Sequence, residues 1–151
     1  MYQERTPPAI FRMTIEEEDM NIEKMMERID QTDYWDMRTL DFQTDYLGET
    51  FTMWIEDVDD DHCWKVEFLN CRKLQYTTDA DWRGEYALRE CSRSGVGGFG
   101  QNIEVYESEQ PDFYRVEMDL CNLFVELHCK EIRVERVPVS SHHFFWEENT
   151  K

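Results

Sequence analysis

Phe51-Thr52-Met53-Trp54-Ile55-Glu56 and, a little further on, Trp64-Lys65-Val66-Glu67-Phe68-Leu69 carry the pattern that decides the fold. In the first run Phe51, Met53 and Ile55 alternate with Thr52, Trp54 and Glu56. In the second, Trp64, Val66 and Phe68 alternate with Lys65 and Glu67. Successive side chains of a strand point to opposite faces, so a period of two predicts half-buried strands. Residues 57–61, four of them Asp, supply the turn between the two runs. On the N-terminal side Leu40 and Phe42 alternate with Asp41 and Gln43, and Leu47-Gly48-Glu49 is a tight turn. On the C-terminal side Leu74 and Tyr76 continue after Cys71, which reads as an antiparallel meander.

The pattern returns later in the chain. Ile103 and Val105 alternate with Glu104 and Tyr106, and Tyr114, Val116, Met118 and Leu120 alternate with Arg115, Glu117 and Asp119. Cys121, Leu123, Val125, Leu127 and Cys129 share one parity, and Ile132 and Val134 follow a turn at Lys130-Glu131. These two strand groups have the look of similar halves. Between them, residues 79–100 are irregular, with one turn of helix expected near 85–90.

One segment has a different period. Ile22, Met25, Met26 and Ile29 fall at i, i+3, i+4 and i+7, which predicts an amphipathic helix over about 19–30. Glu16, Glu17, Glu18 and Asp19 lie at or before its first turn, where the helix dipole favours acids, and Glu23 and Glu27 leave the outer face acidic. A short strand is expected around 10–15. The expected fold class is α+β, mainly antiparallel β. Its form is a curved sheet or sandwich of seven to eight strands with one N-terminal amphipathic helix covering a face. A single domain spans 1–151. Residues 1–9, with Thr6-Pro7-Pro8, form an extended lead-in, and residues 138–151 form an aromatic C-terminal tail.

The charge narrows the partners. Residues 1–50 hold 5 basic and 13 acidic groups, 51–100 hold 6 and 10, and 101–151 hold 5 and 11, giving a formal charge of −18 over 151 residues. A net charge of about 2–8 already keeps a small domain soluble. The excess disfavours direct binding to nucleic acid or an anionic membrane, both of which need Lys and Arg. It favours steered association with a basic protein. Five Cys, an odd number with no CxxC pair, together with an N-terminus lacking a signal-peptide pattern, point to a reduced, cytoplasmic setting.

Several motifs fail on inspection. Gly95-Val96-Gly97-Gly98-Phe99-Gly100 matches G-x-G-x-x-G literally, but no strand-then-helix context surrounds it, so a flexible hairpin-like loop is expected. The run from Asp57 resembles the start of a calcium loop, yet His62 and Phe68 stand where Gly and Glu are required. The equal spacing of Cys63/Cys71 and Cys121/Cys129 places each pair on one face of a continuous strand and is not a zinc-ligand pattern. No catalytic residue, metal or cofactor is expected. The adjacent rings of Phe144, Phe145 and Trp146 either close over the core or serve as interface anchors.

Trp35-Asp36-Met37-Arg38-Thr39-Leu40, then residues 51–56 and Trp64-Lys65-Val66-Glu67-Phe68-Leu69-Asn70-Cys71, resemble the small β-rich immunity proteins of bacterial polymorphic toxin systems. The runs at 123–127 and 131–134 are similar too. The resemblance implies a protein that binds and blocks a toxin; it carries over no individual residue. Acidic phage inhibitors of bacterial defence nucleases, the anti-CRISPR proteins among them, share size and charge but no motif.

The expected function is therefore that of a non-enzymatic, acidic, immunity-type inhibitor. It would block a basic nuclease or nucleic-acid-binding protein by electrostatic mimicry of nucleic acid. The partner-binding candidates are Glu16, Glu17, Glu18, Asp19, Glu23, Glu27, Asp57, Asp59, Asp60, Asp61, Glu104, Glu107, Phe144, Phe145 and Trp146. A homodimer is a further partner state to weigh. The alternatives are a phage inhibitor of a defence nuclease, a small enzyme with a Cys/His or carboxylate site, and an assembly protein.

Overall fold

The structure, a computed structural model, describes residues 21–149. Helix α1 (Ile22–Asp30) precedes eight strands: β1 (Thr39–Asp45), β2 (Thr50–Glu56), β3 (His62–Leu69), β4 (Lys73–Thr78), β5 (Asn102–Glu107), β6 (Tyr114–Asp119), β7 (Leu123–Cys129) and β8 (Glu131–Pro138). They form two four-stranded sheets, β1-β2-β3-β8 and β4-β7-β6-β5, and every pairing is antiparallel. The α+β, mainly antiparallel reading therefore holds. The expected strand at 10–15, the lead-in over 1–9 and the acids Glu16–Asp19 lie outside the described residues.

The meander expectation holds for β1–β3 and fails at β4. That strand crosses to the second sheet and pairs with β7, while β8 crosses back to pair with β3. Each sheet is thus a three-stranded meander completed by one strand from the other half, and the two groups do behave as similar halves. The crossovers are tied to each other, since Lys130 N donates to Leu69 O at 3.1 Å and Arg72 N donates to His128 O at 2.8 Å. Asn70, with φ 58°, supplies the left-handed residue at the first crossover, a conformation that Asn tolerates better than most residues.

The crossover also separates Cys63 from Cys71. Cys71 joins the main core, and Cys63 faces the other side of β3. Cys121 is not on a strand at all; it sits exposed in the β6–β7 turn with φ 75°. Neither cysteine pair shares one face of a continuous strand.

The main core lies between the sheets. Phe51, Met53, Ile55, Val66, Phe68 and Ile132 from the first sheet meet Ile103, Val116, Met118, Val125 and Leu127 from the second. Burying each such side chain is worth about 1.5–3 kcal/mol. Met25 and Ile29 of α1 are fully buried in the same core, with Ile22 and Met26 packed at its margin, as the helical spacing predicts. The helix begins two or three residues later than expected, because Asn21 caps it: its side-chain oxygen accepts from Lys24 N at 2.9 Å. Helix α1 packs on β5 and β8, the edge strands of the two sheets, and Arg28 Nη1 donates to Ile132 O at 2.7 Å.

A second core forms on the outer face of the first sheet. Leu40 is the extra residue of a β-bulge, so it turns away from Phe42 and joins Trp54 and Cys63. Expecting Leu40 and Phe42 on one face missed this bulge. Phe144 and Trp146 cover the site, together with Val96 from the long loop. The 79–100 segment holds three short 3₁₀ turns, Asp81–Arg83, Leu88–Glu90 and Arg93–Gly95.

The glycine-rich end of that segment is not a free hairpin. Thr39 N donates to Gly98 O at 3.0 Å, Asp36 N to Gly100 O at 3.0 Å, and Gly100 N to Met37 O at 2.9 Å. A methyl at Gly97 would lie 2.4 Å from the Trp82 ring, and one at Gly100 would lie 2.5 Å from the Tyr34 carbonyl oxygen. Close packing explains these glycines; strand β5, not a helix, follows them.

Candidate partner-binding surface

The candidate acids occupy three regions, and their surroundings differ. Glu23 and Glu27 are exposed on α1. Residues 57–61 form the β2–β3 turn, and two of their carboxylates are already engaged. Asp57 accepts from Trp64 Nε1 at 3.3 Å and from Arg136 Nε at 3.0 Å. Asp59 accepts from Arg136 Nη2 at 3.3 Å, from Asp61 N at 2.9 Å and contacts His62 Nδ1 at 3.1 Å. These bonds, the Asp61 backbone first, hold the Asp59 carboxyl below its ordinary pKa. Arg93 Nη1 binds the Asp60 carbonyl oxygen at 2.9 Å. Much of this turn's charge is thus answered by cations of the same chain, and only Asp60 and Asp61 remain fully exposed without an ion pair among the described residues.

Glu104 and Glu107 lie on β5, at the edge of the second sheet. The pairing register there is informative. Glu104 stands opposite Glu117, and Glu117 opposite Glu126, so three glutamates form one row across β5, β6 and β7. Asp119 is one row further along, opposite Phe124. On the other side Tyr106 faces Arg115, and Arg115 faces His128. Arg115 is ion-paired with Glu117 and lies over the Tyr106 ring, 4.3 Å from its centroid. An open hollow of about 350 Å³ is lined by Glu117, Glu126, Asp119, Phe124, Asn102 and Thr77. Glu117, inside the acidic 104–119 ribbon, and Glu126 are not among the binding residues expected from the sequence; each, like Glu104, takes the polar position of its strand's alternation, which only the register converts into a row.

The aromatic tail resolves in favour of the core. Phe144 is fully buried and Trp146 is 4% exposed, so neither offers a face to a partner, and Phe145 is half-buried beside them. Trp146 Nε1 donates to Leu40 O at 3.2 Å, and Asn149 Nδ2 reaches the carbonyl oxygens of Arg89 and Cys91 at 2.6 and 3.1 Å. The tail forms 3₁₀ turns, Val139–Ser141 and Phe145–Asn149, and the rings of Phe144 and Trp146 stack on one another. An apolar hollow of about 270 Å³ remains between this assembly and the long loop, lined by Leu40, Phe42, Trp82, Leu88, Val96 and Phe145.

Four of the five thiols are disfavoured as thiolates, Cys121 alone being exposed. Burial pushes Cys63 and Cys71 up to about 11, and raises Cys91 and Cys129 as well. The histidines turn to other groups: His62 to Asp59, His142 to Asp41, His128 to Ser108, and His143 to Glu147 and Glu148. Among the described residues no three His, Cys, Asp or Glu side chains converge as a metal site, and no helix is long and apolar enough to cross a membrane.

Comparison with known proteins gives the family. A crystal structure of an uncharacterized protein from Neisseria gonorrhoeae is similar at 15% identity, covering 68% of this chain and 92% of that chain, with a TM-score of 0.48. No curated protein matches the chain significantly. The family model described as Immunity protein PIM7 matches residues 21–136, the span from the cap of α1 to within two residues of the end of β8. The chain belongs to the immunity protein PIM7 family.

Proposed function

We propose that this protein binds and blocks a toxin whose surface is basic, a nuclease in particular, by presenting carboxylates where the toxin would bind nucleic acid. The observation that carries the reading is the joint occurrence of immunity-family membership and a formal charge of −18. Family membership supplies the toxin as partner. The charge supplies the chemistry, since an acidic surface steers association with a cationic one and repels nucleic acid itself. Family membership also favours a toxin over a defence nuclease as the target, and binding over catalysis as the mode of action. Five free thiols fit a cytoplasmic site of action, where thiols stay reduced.

The test is binding and protection. The cognate toxin domain, sought first in the neighbourhood of this gene, is titrated with the protein at about 0.05 and 0.3 M salt, and its activity on nucleic acid is followed. The expected result is inhibition at equimolar protein, with affinity at least about tenfold weaker at the higher salt. Affinity indifferent to salt would overturn the electrostatic mechanism, and a toxin inactive on nucleic acid would overturn the nuclease target.

A further inference from the structure

The outer faces of the two sheets differ in what covers them. The first sheet is roofed at one end by the tail and the long loop, over Leu40, Trp54 and Cys63. Elsewhere on that face Lys65 and Arg133 accompany Glu67, Glu131 and Glu135, so its charges are mixed. Nothing among the described residues covers the row Glu104–Glu117–Glu126 on the second sheet. Like charges directly opposite one another on adjacent strands destabilise a sheet. Here two such pairings occur in succession, with Arg115 the one ion-paired cation. Exposed aromatics flank the row, Phe124 on one side at 40% and Tyr106 on the other at 38%. Exposed aromatic side chains are enriched at protein–protein interfaces.

The row does not stop at the sheet edge. Helix α1 packs on β5, and just beyond the helix Tyr34 OH accepts from Ile103 N of β5 at 3.0 Å. Asp30 is the last residue of α1, and Glu27 and Glu23 continue along the exposed side of the helix. Two acidic regions that are far apart in sequence therefore lie on elements packed side by side.

We propose that this strip, from Glu126 through Glu117 and Glu104 to Asp30 and Glu27, is the surface that receives the lysines and arginines of the toxin. The inference rests on the proposed function and names the face that performs it. Its occupant is a cationic protein surface, because Arg115 answers only Glu117 and incoming cations relieve the repulsion that remains along the row. A second copy of this chain brings the same −18 and adds to it. The 57–61 turn is the weaker alternative, its Asp57 and Asp59 being held by Arg136.

The experiment compares four proteins against the cognate toxin domain, with affinity and melting temperature measured for each: wild type, E117K/E126K, E117Q/E126Q and D60K/D61K. Charge reversal on the strip is expected to weaken binding about 100-fold, whereas D60K/D61K stays within about threefold of wild type. E117Q/E126Q is expected to bind more weakly while melting no lower than wild type, which a purely structural role for these glutamates would not produce. If wild type binds and E117K/E126K binds equally well, or D60K/D61K loses as much, the assigned face is wrong and the immunity reading stands. Should E117K/E126K fail to fold, E117Q/E126Q decides in the same way. If wild type neither binds nor protects, the functional reading fails, and this inference with it.

Discussion

The imidazole of His142 lies flat on the indole of Trp54, ring centroids 3.8 Å apart and planes 13° from parallel. Its Nε2 sits 2.9 Å from Asp41 Oδ2, and Phe144 meets its edge at 4.6 Å. The stack joins the C-terminal tail to β1 and β2, so residues 139–149 belong to the fold and are no appendage.

Phe144 closes this second core, fully buried and stacked on Trp146 at 4.8 Å. Phe144→Ala should therefore lower stability by about 3–5 kcal/mol, the range for emptying a buried aromatic site. Urea unfolding followed by Trp fluorescence measures it. A loss below about 1 kcal/mol, small beside that range, would show that the tail is not integral to the domain.

Glu56 is the single carboxylate between two arginines. Arg38 Nη1 binds both its oxygens at 3.1 and 3.0 Å, and Arg93 Nε stands 3.6 Å away. Arg38 Nε and Arg93 Nη2 are buried with no hydrogen-bond partner among the described residues, so the pair already leans heavily on this one acid. Glu56→Ala should cost about 3 kcal/mol, as expected when one partner of a desolvated pair is removed. It should also expose the 79–100 loop to limited proteolysis. Unchanged cleavage there would mean that Arg93 does not anchor the loop.

Gly100 packs against backbone, not against a flexible side chain. A Cβ would meet the Tyr34 carbonyl oxygen at 2.5 Å, so Gly100→Ala should destabilise by about 1–3 kcal/mol. Thermal melting checks this. A neutral result would reopen a role for the glycine loop outside packing.

The buried thiols predict an alkaline loss of stability. Burial holds the neutral form of Cys63 and Cys71 in the native state, so the folded pKa of about 11 exceeds the ordinary value of 9.0. A raised acid binds its proton more tightly when folded. Its contribution is therefore complete below about pH 9 and is lost as pH rises toward about 11. Wild type should lose stability over that window more steeply than C63A/C71A, by chemical denaturation at fixed salt. Equal slopes would contradict the assignment. At pH 8, exposed Cys121 should be alkylated well before the buried Cys63, Cys71 and Cys129.

Where the sequence was legible, a local period carried the information. Phe51, Met53 and Ile55 face the main core as their alternation requires, and Met25 and Ile29 do so at helical spacing. The period failed at Leu40, because a bulge inserts one residue and turns the side chain to the opposite face. It failed again at Cys121, where a parity shared with Leu123 ran through a turn. Of the expected binding residues, Glu104 belongs to the acidic row and Phe144 to a core. Parity alone did not separate these fates, since both depend on what packs opposite.

The amino-acid sequence alone determined the mainly antiparallel class, the amphipathic helix at Ile22–Asp30 and the excess of negative charge, because periods of 2 and 3.6 and a sum of charges need no knowledge of distant neighbours. Tertiary structure decided the rest. It sent β4 and β8 across to opposite sheets, folded the aromatic tail onto Trp54, and placed Arg136 on Asp57, 79 residues away in the chain. It also set Glu104, Glu117 and Glu126 opposite one another, because register is a property of paired strands and not of any one of them.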